Sequence, residues 1–296
     1  MRISMLNMYS TNLSSMQKSL GDLGKLNQEM ATSKRILKPS DDPLGELVVL
    51  NSKNHKTRTN QYIDNISSLS TSLGQTETYL KSFVNLQNRM KEIAISSNNG
   101  DLSKDDRKAY GGELKELLKE ASDLFNAKDD NGNFIFAGQD VNTPPIDKAG
   151  DTYSVNLKVG GYRKIQTSES SWMVSNTTID QLNAQQFLGD TQKYITALEG
   201  GSKDFETDAK NMQTTLDKTL SSVTGALTDI GGKENSLELM KSAHQDMVLF
   251  SDKTIKETEA LDYPKAASDF QMQLTALKVS QKTFVQISHL NLFSEM

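Results

Sequence analysis

Residues 6–30 read LNMYSTNLSSMQKSLGDLGKLNQEM, and this stretch decides the fold. Its apolar residues stand alternately three and four positions apart, with Asn27 as the one polar interruption: Leu6, Tyr9, Leu13, Met16, Leu20, Leu23 and Met30. Such a 3.5-residue repeat is typical of a helix that lies along another helix. Because the residues between are mostly polar, we predict a long helix that buries one narrow stripe.

A matching stripe occurs near the other end of the chain. Its residues keep the same rhythm: Phe270, Leu274, Leu277, Phe284 and Ile287. We call these two stripes the terminal seams. Packing inside the chain's own domain is the usual interpretation of such a stripe, and assembly with other chains is the alternative.

Composition limits the remaining possibilities. The chain has 296 residues, 35% of them hydrophobic, with one Trp and five Pro, which favours elongated helical layers over a compact globule. It has no Cys, so disulfides and thiolate chemistry are excluded. We find no signal peptide and no apolar run of about 18 residues, so no membrane insertion is predicted.

Basic residues are concentrated in the first 60 positions, although the net charge of the whole chain is -5. Six of them could contact nucleic acid: Lys34, Arg35, Lys38, Lys53, Lys56 and Arg58. They lack interleaved aromatic residues and fall on polar helical stretches, which is typical of a solvated face. We therefore predict no nucleic-acid partner.

Turn and capping signals divide the N-terminal half into three helices. The first should end near Ser33–Lys38, before a corner in which Asp41 and Asp42 offer capping oxygens and Pro43 starts the next helix. Gly45 suggests a close approach to another backbone. The second helix should run to about Asn98, with Asn98-Asn-Gly100 as its C-cap. Ser103 is then the expected N-cap of the third helix.

The pattern changes to alternation after about residue 130. We predict a strand at 133–138, strands at 153–159 and 162–166 joined by Gly160-Gly161, and a further strand at 172–174. Trp172 is expected to anchor the core of this β-rich insert, with ligand stacking as the alternative. Helix should return near Phe187, and a long element from Asp204 should kink or break at Gly231-Gly232. The fold class is therefore mainly α, a long antiparallel helical bundle with a β-rich insert.

A search for catalytic and metal-binding patterns yields no site. His55, His244 and His289 are far apart, and the SxxK match at Ser15–Lys18 lies inside the first seam. The calcium-loop pattern starting at Asp129 fails, because Phe134 occupies its glycine position. We predict no enzyme activity, no cofactor and no metal.

Several motifs resemble the bacterial flagellin family. They are MRISM at 1–5, MATSKRILKPSDDPLG at 30–45 and NGNFIFAG at 131–138. The resemblance covers about 1–140 and 205–296. Pro43 and the FIFAG segment are more similar to the members at the hook–filament junction than to flagellin itself, whereas Ser33-Lys34 departs from the glycine that often precedes the family's basic pair.

The resemblance implies a mechanical role. The terminal helices would pair in a coiled coil lining a tube, the β insert would face outward, and the chain would leave the cell through the flagellar type III apparatus. Implied partners are the first hook-associated protein, flagellin, copies of the chain in a ring and an export chaperone. Implied domains are 1–40 and 263–296 for assembly, 41–137 and 187–262 for the bundle, and 138–186 for the β insert.

The residues expected to form the assembly interface belong to the terminal seams. They are Leu6, Leu13, Met16, Leu20, Leu23, Met30, Phe270, Leu274, Leu277, Phe284 and Ile287. If the seams serve assembly, Leu13→Asp and Leu277→Asp should both leave the free chain's melting almost unchanged. The β insert should be dispensable for joining. A flagellin, or a coiled-coil type III effector or adhesin with a ligand-binding insert, remains an open alternative.

Overall fold

The computed structural model describes residues 2–98, 102–156, 158–202 and 204–292, without the side chains of 2–6 and 287–292. Long helices dominate it. In chain order the elements are α1 (Arg2–Thr32), α2 (Pro43–Ser97), α3 (Lys104–Phe125), β1 (Ile146–Ala149), β2 (Thr152–Val155), β3 (Lys164–Gln166), β4 (Trp172–Val174), a 3-10 helix (Ile179–Leu182), α4 (Ala184–Leu198), α5 (Phe205–Glu259) and α6 (Tyr263–Leu292). The predicted class, mainly α with a β-rich insert, is confirmed.

The chain divides into two compact units. Residues 1–58 and 247–296 form the terminal unit, and residues 59–246 form the central unit. The two longest helices, α2 and α5, contribute residues to both.

The corner between α1 and α2 has the predicted capping chemistry. Asp42 Oδ1 accepts a hydrogen bond from the N–H of Gly45 at 3.0 Å, and Pro43 is the first residue of α2. Asp41 Oδ2 accepts from the N–H of Lys38 at 3.0 Å. We expected Gly45 to lie close to another backbone. A Cβ on Gly45 would instead lie 2.5 Å from Asp42 Oδ2, so the close approach is to a side chain.

The limits of α2 and α3 also follow their local signals. Helix α2 ends at Ser97, and residues 99 and 100 of the predicted C-cap lie outside the described residues. Ser103 caps α3, because its side chain accepts a hydrogen bond from the N–H of Asp106 at 3.1 Å. Helix α2 carries one apolar face in the central unit, where Tyr62 is half-buried and the following residues are buried: Ile66, Leu69, Leu73, Leu80, Phe83 and Met90.

Four phenylalanines form the centre of the core of the central unit. The ring centroids of Phe83 and Phe125 are 4.7 Å apart, and Phe187 lies 5.3 Å from Phe83. Phe136 meets Phe125 edge to face at 6.4 Å. These rings come from α2, α3, α4 and the segment after Gly132, so aromatic packing holds together four separate parts of the chain.

The β insert contains two separate antiparallel pairs, β1 with β2 and β3 with β4. The strand predicted at 133–138 is wrong. That segment makes only isolated bridges, Lys128 with Phe134 and Gly138 with Gly160, and is otherwise turn or bend. Its apolar residues point into the core instead, since Phe136 and Ala137 are almost fully buried. Residues 135–138 are buried consecutively, because this segment packs against helix α3 through Phe136 and Phe125 and has no partner strand.

The hairpin predicted at Gly160-Gly161 is also wrong. The turn of the first pair is at Gly150, whose φ is 65°, and β2 ends at Val155; residue 157 lies outside the described residues. Gly160 and Gly161 instead pass beside Gly138, where a Cβ on Gly138 would clash with the backbone of Gly160. The glycines serve a close approach of two backbone segments.

Two further expectations are corrected. Trp172 is 58% exposed and does not anchor the core; the buried hydrophobic residues of the insert include Ile146, Tyr153 and Val159. Helix α5 runs without a break through Gly231-Gly232. Each glycine costs about 1 kcal/mol relative to Ala in a helix, and burial of Ile230 and Leu237 on either side offsets this penalty.

The β insert is part of the core of the central unit. Ile146, Tyr153, Val159, Ile179 and Leu182 all belong to the same buried cluster as Phe83 and Phe125. This packing changes our expectation that the insert is dispensable, because its removal would expose the apolar faces that it covers.

Candidate assembly surface

The terminal helices α1 and α6 pack against each other in antiparallel orientation. The rings of Tyr9 and Phe284 have centroids 4.8 Å apart. At the opposite end of the pair, Lys34 forms an isolated antiparallel bridge with Ala260, just before α6 begins. The two seams therefore face a partner helix within one chain.

This packing buries only part of the terminal seams. Leu23 and Leu277 are each 7% exposed, and Met16, Met30, Phe270, Leu274 and Phe284 are half-buried. Leu13 and Leu20 are 41% and 54% exposed. The side chains of Leu6 and Ile287 lie outside the described residues. Each helix of the pair thus keeps apolar surface available for a further partner.

Helix α6 carries a second apolar stripe that sequence analysis missed. Met272 and Val279 are exposed and seven residues apart, on the side of the helix opposite Phe270 and Leu277. The seven-residue spacing was visible in the sequence, but a single pair gave too weak a signal to separate from background.

Two further groups of exposed apolar residues lie in the terminal unit, one at the start of α2 and one in the C-terminal part of α5. Leu44, Leu47 and Val48 are exposed and follow the i, i+3, i+4 spacing of one helix face. Leu249 and Phe250 are exposed within the terminal unit as well. The signal was the run LVVL at 47–50, which directly follows the corner that we interpreted as a capped turn. Exposed apolar patches of this kind mark protein–protein contacts.

Ion pairs connect the two linkers of the terminal unit, which are residues 33–42 between α1 and α2 and residues 260–262 between α5 and α6. Lys34 Nζ lies 2.6 Å and Lys53 Nζ 3.2 Å from the carboxylate of Glu259, which is 8% exposed. The N–H of Arg35 donates to the carbonyl of Glu259 at 2.7 Å, and the guanidinium of Arg35 pairs with Asp42 at 2.9 Å. The chain entering α2 is thereby held to the chain leaving α5.

These contacts account for several of the basic residues that could have contacted nucleic acid. Lys34 and Lys53 pair with Glu259, Arg35 pairs with Asp42, and Lys56 Nζ lies 2.6 Å from Asp252. Paired lysines and arginines are less available to phosphates than unpaired ones, which fits the interpretation of a solvated face.

The same contacts lower the pKa values of the carboxyl groups. Burial raises the pKa of Glu259, but the hydrogen bonds from Lys34 and Lys53 outweigh it, so the pKa lies below its usual value. A hydrogen bond from Lys25 lowers the pKa of Asp41. A lowered folded-state pKa contributes stability above the unfolded-state pKa, which is lost as pH falls through the folded-state pKa.

We therefore expect the linkers to loosen in acid. For Glu259 the loss should begin below about pH 4.3, the ordinary glutamate pKa, and the hydrogen-exchange protection factors of amides in residues 33–38 should fall there. Glu259→Gln should raise exchange at pH 7 and weaken its acid dependence, since the variant cannot titrate. Glu257→Gln is the matched control, because Glu257 is exposed and its nearest cation, Lys253, is 3.8 Å away. Equal exchange in both variants would contradict this role of Glu259.

The described residues contain no cluster of three or more His, Cys, Asp or Glu side chains that could hold a metal ion. Within the same part of the chain, no helix has the length and apolar character needed to cross a membrane.

Comparison with known proteins gives consistent results. The family described as the bacterial flagellin N-terminal helical region matches residues 3–141. Flagellar hook-associated protein 3 of Escherichia coli is 26% identical over an alignment of 318 positions, gaps included, that covers 99% of each chain. A solved Vibrio parahaemolyticus structure assigned to the flagellar hook-associated proteins is 30% identical, with a TM-score of 0.69, and covers 74% of this chain and 100% of its own. A Listeria monocytogenes flagellin matches 48% of this chain at 28% identity.

Paired terminal helices with a β-rich insert between them, together with the flagellin match, define the class of flagellin-like proteins. Within this class the similarity to hook-associated proteins extends over nearly the whole chain, whereas the similarity to the Listeria flagellin stops at about half. The chain belongs to the flagellar hook-associated proteins.

Proposed function

We propose that this protein forms a structural joint of the bacterial flagellum, between hook and filament. The observation that supports this most directly is the distribution of exposed apolar side chains. Most of them lie on the terminal unit: Met8, Tyr9, Leu13, Leu20, Leu44, Leu47, Val48, Leu50, Met247, Leu249, Phe250, Tyr263, Met272, Val279 and Val285. A surface this apolar favours burial against neighbouring subunits over permanent exposure to water.

The eleven seam residues form the primary assembly interface in this proposal. Leu23 and Leu277 hold α1 and α6 together within one chain, and Leu13 and Leu20 face the next subunit. Copies of the chain would form a ring through head-to-tail contacts. Such contacts give a closed ring when the same rotation relates each copy to the next and returns to the first copy. The first hook-associated protein would bind on one side of the ring and flagellin on the other.

The remaining parts of the proposal follow from the family. The chain would be bound by a chaperone and exported unfolded through the flagellar type III apparatus. It would act outside the cell without catalysing a reaction. Segments 1–40 and 263–296 would serve assembly, segments 41–137 and 187–262 would form the bundle, and segment 138–186 would face outward.

Immunogold labelling of isolated flagella tests the proposal. We expect gold at the boundary of hook and filament, and no gold in a strain that lacks the gene. Gold along the whole filament would instead identify a flagellin. Protein found only free in the medium, with unlabelled flagella, would favour a secreted effector or adhesin.

A further inference from the structure

A groove in the central unit separates β4 from α5. Its volume is about 770 Å³. Trp172, Met173 and Val174 line one side. The α5 side is lined by Ser222, Gly225, Ala226 and the ion pair of Asp229 with Lys233. All of these residues belong to residues 59–246, and none of them belongs to the terminal unit proposed for assembly.

The pairing of β3 with β4 shows which backbone groups of β4 point away from β3. The N–H of Ser175 donates to the carbonyl of Arg163 at 2.9 Å. Hydrogen-bonded pairs alternate along an antiparallel ladder, so Met173 also bonds toward β3, while Trp172 and Val174 turn their N–H and C=O groups away from it. In the part of the chain that the structure describes, no hydrogen bond reaches these outward groups.

The outer edge of β3 differs from that of β4. The carbonyl of Gln166 accepts a hydrogen bond from the side-chain amide of Asn65 at 2.9 Å, so helix α2 covers this edge. Edge strands are usually protected by charges, proline or a covering element. The segment 170–176, SSWMVSN, contains neither charge nor proline, so the edge of β4 lacks these protections.

The opposite wall leaves room for one more strand. An added Cβ at Gly225 would meet no atom within 4 Å, and Ala226 presents only a methyl group. Neighbouring strands lie about 4.8 Å apart, so a backbone paired with β4 needs small residues on the facing helix. At the groove surface, Trp172 and Tyr162 are 58% and 48% exposed and offer aromatic faces to side chains of the occupant.

We propose that this groove binds an extended peptide segment, which pairs with Trp172 and Val174 as a third strand. The outward N–H and C=O groups of β4 require a backbone with alternating donors and acceptors, which an extended polypeptide provides. The segment carries small side chains toward Gly225 and Ala226 and an apolar side chain against Trp172. This site is independent of the proposed joint, because its residues and the terminal seams lie in different units.

Trp172 provides a local signal for the test, since it is the only tryptophan in the chain. Random hexapeptides displayed on phage are selected on the full chain, and the selected sequences are synthesised and titrated while Trp172 fluorescence is followed. Each peptide is then N-methylated at one residue at a time. Methylation at the alternate residues that face β4 should weaken binding about tenfold or more, because it removes an N–H and blocks pairing. Methylation at the other residues should change affinity less than about twofold.

Two glycine variants on the same helix separate the groove from the fold. Gly225→Leu should fill the groove and abolish binding. Gly232→Leu is the matched control, because Gly232 also has open space around its Cβ position but does not line the groove. Both variants should melt at or slightly above the wild-type temperature, because neither added Cβ meets an atom within 4 Å and each replacement removes a glycine from the interior of a helix.

Several results would overturn the proposal. One is a selection that yields no peptide able to change Trp172 fluorescence, and another is binding that is insensitive to N-methylation. Equal affinity of the two glycine variants would place the peptide elsewhere. A fluorescence response to chitooligosaccharides and not to peptides would show that Trp172 stacks on sugars, which need no strand edge.

Discussion

Leu13→Asp is expected to leave the free chain folded but unable to assemble, whereas Leu277→Asp should also separate α1 from α6. The two seams appear equivalent in sequence, yet Leu277 is 7% and Leu13 is 41% exposed in one chain. A carboxylate at position 277 loses water without gaining a partner, which costs several kcal/mol. At position 13 it stays hydrated until another subunit arrives.

Two measurements distinguish these outcomes. Hydrogen exchange of residues 7–32 in the free chain should be fast for Leu277→Asp and unchanged for Leu13→Asp. In cells, both variants should be lost from the hook tip, with flagellin appearing in the medium. Ser14→Asp is the control, because it adds the same charge at a neighbouring exposed position of α1. Normal filaments on cells that carry Leu13→Asp would contradict a role of the exposed seam residues in assembly.

Replacement of residues 142–185 by a short Gly/Ser link is expected to unfold the central unit. The excision removes Ile146, Tyr153, Val159, Ile179 and Leu182 from the core. Truncating one large buried side chain costs about 2–5 kcal/mol, and whole domains are stable by about 5–15 kcal/mol. Five such losses sum to about 10–25 kcal/mol, which is as large as or larger than the whole stability of a typical domain.

Thermal denaturation followed by circular dichroism should show loss of the central unit's transition in this variant. In the control, Asn-Gly replaces residues 168–170, which shortens the β3–β4 loop and leaves the pairing of Gln166 with Trp172 in place. We expect the control to melt close to wild type. A cooperative transition of normal temperature in the large excision would show that the helices alone form a sufficient core.

Predictions based on apolar spacing and capping residues within a single helix were confirmed by the structure. The stripe Ile66, Leu69 and Leu73 is buried, Ser103 caps α3, and the corner before Pro43 is held by Asp42. Each depends on residues within a few positions of one another, where helix geometry determines which side chains share a face or reach a backbone N–H. The fold class and the family followed from such signals because long helices repeat them many times.

Predictions were wrong for segments whose structure depends on packing with residues far away in sequence. Residues 133–138 were predicted as a strand but pack against helix α3, and Trp172 is exposed although it is the chain's largest apolar side chain. Gly231-Gly232 looked like a break, but burial of Ile230 and Leu237 keeps α5 continuous. In each of these segments, packing with residues far away in sequence outweighed local propensity.

The sequence by itself determined where helices begin and end, that each terminal helix has one apolar seam, and that the chain resembles the flagellin family. Only the tertiary structure decided how each seam is used. Leu23 and Leu277 are covered because α1 and α6, the first and last helices in the sequence, pack against each other. Leu13, Leu20, Leu44 and Phe250 stay exposed. A repeat of apolar residues specifies that a helix face will be buried, but the position of the partner helix determines how much of it is covered.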